Sequence, residues 1–362
     1  MTEIKKYKVL DLFCGCGGIS EGFCLAGFEI VGGIDFNEDA TKTFKHNFEN
    51  ARVHNVDITA FPNEQILEEY HDVDIIVGGP PCQGFSTANR YQKEAEDPRN
   101  KLFFEYIRFV EQIHPKLIMI ENVRGLLTRD KGYAINRIKE ILGAEEYNIA
   151  YRVLDASDYG VPQNRKRAII VGVRKDFKDV FFDFDHLLKQ PKTTVGDAIG
   201  ELYGFEQSPN GVKTITTPAD TPLRVYLRKA DNTISDQDIV YPAQKVRDRI
   251  KHVPQGGNWK DVPEELWPNN RKNRHSSAYK RLDPNTQSCT IDTGNAHSNY
   301  FHPVFHRIPT IRESARLQSF PDSFEFQGPR GSKYRQVGNA VPPLLAKAIA
   351  DEIKKNLDNE DN

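Results

Sequence analysis

Cysteine is scarce in this chain, with five in 362 residues. Cys14, Cys16, Cys24, Cys82 and Cys289 form an odd, scattered set, which excludes a disulfide framework. Cys14, Cys16 and Cys24 fit no common zinc spacing and no second cluster completes a tetrahedron, so they read as packing residues and no metal is expected. No apolar run approaches the roughly 20 residues that a membrane helix needs. Met1–Tyr7 is polar and basic, with no secretory-type apolar stretch after it. A cytoplasmic protein with no membrane partner is the expectation. An excess of positive charge is also lacking: 49 lysines and arginines face 51 aspartates and glutamates, for a net charge of −2. Overall charge therefore does not advertise nucleic-acid binding, and only a local asymmetry can support it. There is no internal repeat, and only Asp358–Asn362 has the composition of a disordered tail.

The rest is ordinary globular material, 38% hydrophobic and 28% charged. The length suits two domains, or one large domain with an insertion. Val9–Phe13, Glu29–Ile34, Asp74–Val77, Leu117–Ile120 and Ala168–Val173 are near-continuous apolar runs, as strands covered on both faces require. Lys101–Ile113 reads as a helix, with Phe103, Ile107, Val110 and Ile113 at helical spacing. Such alternation predicts an α/β fold around a mostly parallel sheet. From Pro191 to about Arg330 the text changes to polar, Pro- and Gly-containing stretches, which predict a smaller, loop-rich domain. The expected division is therefore 1–190, 191–330 and a return segment 331–362, with a helix over Pro342–Leu357 opened by proline.

Asp11-Leu12-Phe13-Cys14-Gly15-Cys16-Gly17-Gly18 follows the first strand. Its glycines allow a tight turn and close approach to a ligand, yet they fit the dinucleotide fingerprint poorly. Asp35 ends the second strand, where a carboxylate can accept both ribose hydroxyls of a nucleoside. Asp57 can accept from an adenine amino group, with Phe36 and Ile58 on either side of the ring. Taken singly, each acid reads equally well as a cap or a turn residue. Together they describe a nucleoside site without a pyrophosphate cradle, which suits S-adenosylmethionine better than NAD.

Gly78-Gly79-Pro80-Pro81-Cys82-Gln83-Gly84-Phe85-Ser86 leaves another apolar strand on a constrained path and presents a thiol. A cysteine nucleophile acts as thiolate and needs exposure and positive potential; the plainer reading is a buried Cys on a rigid turn. Glu121 ends the Leu117–Ile120 strand, either as a solvated carboxylate or as an acid–base group. In Gln163-Asn164-Arg165-Lys166-Arg167 the arginines can fork hydrogen bonds to a carbonyl or phosphate. A second basic knot, Arg271, Lys272, Arg274, Lys280 and Arg281, carries no acid between its ends. It is a candidate for phosphate contacts or a solvated face.

With these residues in view, the chain resembles the cytosine-5 DNA methyltransferases of the prokaryotic restriction–modification type, over nearly its whole length. The matching blocks are Asp11–Gly18, Pro80–Gln83, Glu121–Val123, Gln163–Arg167, Arg312–Pro321 and Gln336–Pro342, in the family's order. The resemblance implies a Rossmann-like S-adenosylmethionine-dependent core with a smaller target-recognition domain. It implies methylation of carbon 5 of a flipped-out cytosine in double-stranded DNA. Cys82 is the implied nucleophile, Glu121 the group on the base amine and ring nitrogen, and Arg165 and Arg167 the groups on the base carbonyl and the Cys82 loop. Around the cofactor it implies Asp11, Phe13, Gly15, Cys16, Gly17, Gly18, Asp35, Phe36, Asp57, Ile58, Pro80, Leu102, Asn339 and Val341. Asp35 stands where the family more usually has glutamate, with a reach shorter by one methylene. Ser86, Thr290 and the second basic knot are the implied DNA contacts, and His275, Asn295 and His297 are weaker candidates for reading base edges. A monomer is the family's habit, and a cognate restriction endonuclease is the implied functional partner. The rival readings are an RNA cytosine methyltransferase with the same core, a non-catalytic DNA- or nucleoside-binding protein, and an NAD oxidoreductase. The long Pro191–Arg312 segment favours a reader of duplex DNA over the first.

Overall fold

A computed structural model describes residues 6–81, 100–128, 132–177, 180–208, 210–267, 279–293 and 300–360. Seven strands form one sheet: β1 (Lys8–Leu12), β2 (Glu29–Asp35), β3 (Arg52–Asn55), β4 (Ile75–Gly78), β5 (Leu117–Val123), β6 (Tyr147–Asp155) and β7 (Lys166–Arg174). Their order is β3-β2-β1-β4-β5-β7-β6. Neighbours are parallel except where β7 runs antiparallel to β5 and β6. The sheet is thus mostly parallel, as the alternation of apolar runs and helices requires. Strand β4 is buried at every residue and β1 at all but its first, because helices cover both faces. Strands β3 and β6 are absent from the apolar-run reading for a physical reason. Each is an edge strand with much of its length half-buried or exposed, and each carries polar residues accordingly.

The helices nearest the site are α1 (Gly18–Leu25), α2 (Glu38–Asn47), α3 (Asn63–Tyr70) and α4 (Lys101–Ile113). Helix α4 spans the residues its apolar spacing marks, and buries Phe103, Tyr106, Ile107, Phe109, Val110 and Ile113. The Tyr106 hydroxyl lies 3.0 Å from the Ile76 carbonyl and 3.3 Å from that of Met119, so it serves β4 and β5 at once. The helix ends at His114, whose left-handed φ of 49° turns its N–H back onto the Val110 carbonyl. Helix α1 carries Gly22 against the C-terminal helix Pro343–Glu360. A Cβ there would stand 2.4 Å from the Ala346 Cβ and 2.6 Å from the Lys347 nitrogen. The two helices meet at backbone distance, and only glycine fits.

The chain divides into two compact units. The first holds Met1–Asp155, Lys166–Lys189 and Pro343–Asn362, and the second Ala156–Arg165 and Gln190–Pro342. The return to the first unit therefore comes at Pro343 rather than at residue 331. The intervening helix Arg330–Asn339 belongs with the second unit, where Gly338 lies so close to Asp292–Thr293 that a Cβ would meet backbone at 2.5 Å.

The second unit is built of short helices, 3-10 turns and two two-residue ribbons, consistent with its loop-rich text. Its middle is helix Ile311–Leu317, buried at all seven residues although it carries two arginines and a glutamate. Buried charge must be matched. Arg316 pairs with Asp322 at 2.5 Å and Glu201 at 2.7 Å, and Glu313 pairs with Arg307 at 2.8 Å. Arg312 donates to the carbonyls of Pro321, Phe324 and Ser235.

Candidate active site

In a parallel sheet the carboxyl ends of the strands share one edge, and ligands bind there. β1, β2, β4 and β5 are parallel neighbours, so the glycine loop, Asp35, the Gly79–Pro80 segment and Glu121 all lie at that edge.

The glycine loop turns through three left-handed residues, Phe13 (φ 58°), Gly15 (φ 53°) and Gly17 (φ 99°). A Cβ on Gly17 would come within 2.6 Å of the Phe48 ring, whereas one on Gly15 would meet nothing within 4 Å. Gly18 opens helix α1. Asp35 ties the loop down: Oδ2 accepts from the Gly15 N–H at 2.9 Å and Oδ1 from the Asn37 N–H at 2.8 Å. Burial nevertheless raises its carboxyl above the ordinary range. Asp11 is 1% exposed. Its Oδ2 accepts from the Ser20 hydroxyl at 2.6 Å, and its Oδ1 has no hydrogen-bond partner among the described residues. Burial pushes the Asp11 carboxyl up to about 7, against the pull of Ser20.

The proposed adenine neighbours differ from one another. Phe36 is 77% exposed and offers a free aromatic face. Ile58 is buried in the core beneath the sheet edge and offers little surface. Asp57 is exposed and caps the turn Ile58–Ala60 by accepting from the Thr59 N–H at 3.0 Å, which lowers its carboxyl. Phe13 and Leu102 are half-buried and pack against the same core. Cys14 and Cys16 are buried and their thiols raised by burial, Cys16 to about 12, so they behave as packing residues. Cys24 is exposed on α1.

At the end of β4, a Cβ on Gly78 would lie 2.2 Å from the Leu12 carbonyl, which fixes how closely the strand passes β1. The next residues are held from β5: the Asn122 amide donates to the Pro80 carbonyl at 2.9 Å. Glu121 is half-buried, with Oε1 2.8 Å from the Arg167 Nε. The β5–β7 register sets this pair, since Val123 stands opposite Arg167. A Cβ on Gly79 would come within 3.3 Å of Glu121 Oε2, so glycine lets the two strand ends approach closely. Cys82 and Ser86 lie outside the described residues.

Arg165, expected on the base carbonyl and the Cys82 loop, has two backbone partners in the second unit. It is buried in the second unit, with Nη1 donating to the Ile291 carbonyl and Nη2 to that of Gly338, both at 2.9 Å. Its guanidinium fastens two backbone segments, one at Ile291 and one at Gly338. Around it runs a buried amide network that the sequence reading passed over. Gln163 donates to Gln318 at 2.7 Å and accepts from the Ile291 N–H at 2.8 Å, and Gln318 donates to the Val337 carbonyl at 2.7 Å. Both glutamines stand inside matching blocks, which is the signal that could have singled them out. Asn122 and Ser20 went unremarked for the same reason: short polar residues declare no chemistry until a partner is seen.

Three expected DNA contacts are also engaged within the second unit. Arg281 is buried and donates to the carbonyls of Pro303, Val253 and Val304 at 2.7–3.1 Å, so it is a structural arginine and not a phosphate contact. Lys280 donates to the Gly256 carbonyl. Thr290 is exposed, and its hydroxyl donates to the Asn164 carbonyl at 2.9 Å. Arg271, Lys272, Arg274, His275, Asn295 and His297 lie outside the described residues. Asn339 is exposed at the end of its helix and Val341 is buried shortly after it, both in the second unit.

Comparison with known proteins bears on what this edge does. The model of the C-5 cytosine-specific DNA methylases matches residues 7–355. A type II methyltransferase of Neisseria gonorrhoeae, M.NgoFVII, is 36% identical, covering 99% of this chain and 91% of its own. M.DdeI of Desulfomicrobium norvegicum is 35% identical over 97% of this chain and 89% of its own. A crystal structure from Escherichia coli, of a prophage-encoded protein described as a DNA modification methyltransferase, superposes with a TM-score of 0.80 at 27% identity, covering 98% and 100% of the two chains. A family match that runs from the first strand into the last helix covers both units, and the chain belongs to the C-5 cytosine-specific DNA methylase family.

Proposed function

We propose that this DNA cytosine methyltransferase uses S-adenosylmethionine and a covalent Cys82 adduct to methylate a flipped-out cytosine within a short duplex sequence. The observation that carries the reading is the Glu121–Arg167 pair at the sheet edge, beside the segment that leads into Cys82. Carbon 5 of cytosine is a poor nucleophile. Addition of the Cys82 thiolate to carbon 6 makes carbon 5 electron-rich, as charge moves onto ring nitrogen 3 and the carbonyl. In this reading Glu121 acts as the carboxylic acid, accepting from the exocyclic amine and giving its proton to nitrogen 3 as charge arrives there, and Arg167 keeps it oriented from the Oε1 side. Asn122 fixes the Pro80 carbonyl and so the start of the Cys82 segment. The thiolate leaves when the carbon 5 proton is removed, restoring the aromatic ring. A base cannot be attacked in this way inside the stack, so it must be turned out.

The cofactor end fits the same reading. An uncompensated buried carboxylate, open space above Gly15 and the exposed Phe36 ring suit a cationic nucleoside. When bound, S-adenosylmethionine supplies an electrophilic methyl group on its sulfonium. Asp11 and Asp35 would hold it from below, with Phe36 against the base. The type II names of the relatives support a restriction–modification role, with a cognate endonuclease as functional partner and the cytoplasm as the place of action. The family match, whose printed substrate is DNA, favours DNA over RNA.

Bisulfite sequencing of plasmid from a methylation-free bacterial host tests the reading. Protected cytosines at one repeated motif are expected, and none with Cys82→Ala. An oligonucleotide carrying 5-fluorocytosine, which has no proton to lose from carbon 5, is expected to stay covalently attached to the wild-type chain. Protection surviving in Cys82→Ala would sink the covalent mechanism.

A further inference from the structure

One arginine on α4 reaches the turn that follows Asp57. Arg108 is half-buried on a helix whose buried residues are aromatic or aliphatic, and its guanidinium lies 5.2 Å from the Phe109 ring. Its nitrogens donate in different directions. Nη2 donates to the Ile58 carbonyl at 2.9 Å, Nη1 to the Asn63 side chain at the start of α3, and Nε to Glu105 at 2.7 Å, one helical turn back. The Ile58 carbonyl also accepts from the Phe61 N–H at 3.2 Å, and the Asp57 carbonyl from the Ala60 N–H at 2.8 Å. The Ile58 and Phe61 side chains are buried in the core. The turn Ile58–Ala60 is therefore gripped from inside by two apolar side chains and from α4 by one guanidinium. The Ile58 carbonyl and the Thr59 N–H belong to the same planar peptide unit. That N–H is the one that Asp57 Oδ1 accepts at 3.0 Å. Arg108 thus holds one end of the peptide whose other end holds the Asp57 carboxylate. Upstream, the turn is tied to β2, where the Val56 N–H and the Asn55 amide donate to the Asp35 carbonyl at 3.1 and 3.2 Å.

Resting on the cofactor reading, in which Asp57 accepts from the adenine amino group, we propose that Arg108 is a positioning residue that sets the adenine selectivity of the site. It acts through the turn and not on the cofactor itself. By fixing the peptide between Ile58 and Thr59 it fixes the direction in which the Asp57 carboxylate faces. A carboxylate accepts hydrogen bonds and donates none. Held in one direction, it favours a base that presents an amino group there and disfavours one that presents a carbonyl oxygen. Asp57 is exposed, so without that hold its side chain is free to turn to solvent and discriminates less. Bonding to Thr59 also keeps its carboxyl below the ordinary range, and so in the accepting form. The fork accounts for arginine at this position, since the single nitrogen of a lysine cannot serve Ile58, Asn63 and Glu105 in their different directions.

The test is titration calorimetry of the full chain with S-adenosylhomocysteine and with S-inosylhomocysteine, in which an oxygen replaces the amino group of the base. The wild type is expected to prefer the adenine ligand by roughly 100-fold or more. In Arg108→Met, which keeps much of the stem and removes every donor, that ratio is expected to fall roughly tenfold, through weaker binding of the adenine ligand alone. KM for S-adenosylmethionine is expected to rise by a similar factor with kcat unaltered. In an Asp57→Asn background the same change is expected to cost no further selectivity. Thermal midpoints are measured on each variant, and Arg108→Lys, which keeps the charge and loses the fork, carries the same comparison where the methionine variant is unfolded. Equal weakening of both ligands by the Arg108 change, or an undiminished effect of it in the Asp57→Asn background, overturns this inference and leaves the cofactor reading standing. A wild type that binds both ligands alike removes Asp57 from the adenine and takes this inference with it. Failure of S-adenosylhomocysteine to bind at all overturns the cofactor reading as a whole.

Discussion

Arg165 and Arg167 are two residues apart and chemically identical, yet their surroundings give them opposite work. Arg165 is 1% exposed and serves two carbonyls of the second unit. Arg167 sits at the strand edge against Glu121. Replacing each by lysine separates the roles, because lysine keeps the charge and loses the planar fork. Arg165→Lys leaves at least one buried carbonyl without its donor, at about 1–3 kcal/mol, and is expected to lower the thermal midpoint by several degrees. Arg167→Lys is expected to leave the midpoint unchanged and to lower kcat by roughly 10- to 100-fold, with KM for the cofactor unaltered. Thermal unfolding and initial rates on the same preparations check both. A kcat loss in Arg165→Lys without a change in midpoint would return that residue to the chemistry.

At the scale of elements, helix Ile311–Leu317 shows how a segment with so much charge becomes fully buried. Thr310 caps it by accepting from the Glu313 N–H at 3.1 Å, and Glu313 returns the bond to the Thr310 N–H at 2.8 Å. Burial pushes the Glu313 carboxyl up, but Arg307, His302 and the Thr310 N–H outweigh it and hold the group at about 2. A carboxyl whose folded value lies below its unfolded value contributes stability above the unfolded value and loses it as pH falls. The contribution of Glu313 should therefore be complete above about pH 4.5 and fade between about 4.5 and 2. Denaturant midpoints measured down this range are expected to fall more steeply in the wild type than in Glu313→Gln. The variant should lie about 3 kcal/mol lower at neutral pH, at the low end for a broken buried pair because Glu206 still reaches Arg307 at 2.9 Å.

This helix also marks the limit of what the sequence discloses. The apolar runs of β1, β4 and β5 and the spacing of α4 are legible because burial on two faces, or on one helical stripe, imposes a pattern on residue type. Edge strands β3 and β6 impose none. Asp35 and Glu121 stand out as candidates because a charge at the end of an apolar strand is conspicuous. The fastening of Arg165 and Arg281 to backbone carbonyls is not, since an arginine reads alike whether it meets a phosphate, a base or a carbonyl.

For the whole molecule, the order of segments decides what must be present before the first unit can form. That unit is assembled from three stretches of chain, and its last stretch begins only at Pro343. The C-terminal helix buries Leu345, Ile349, Ile353 and Leu357 completely or nearly so, and it packs on α1 at the Gly22 contact. Each such side chain contributes about 1.5–3 kcal/mol, so four of them match the whole net stability of a typical domain, about 5–15 kcal/mol. A chain ending at Pro342 would keep the glycine loop, Asp35, Glu121 and Arg167 in its sequence, yet α1 would have no cover. Since α1 begins at Gly18, directly after that loop, loss of the helix should be felt at the cofactor end first. The truncated chain is expected to lose cofactor binding and cooperative unfolding together, and a synthetic peptide of residues 343–362 added in trans is expected to restore part of both. Calorimetry and circular dichroism report the two properties separately. Cofactor binding that survived truncation would show that the sheet and its edge stand without the returning helix, and would remove the C-terminal segment from the architecture of the site.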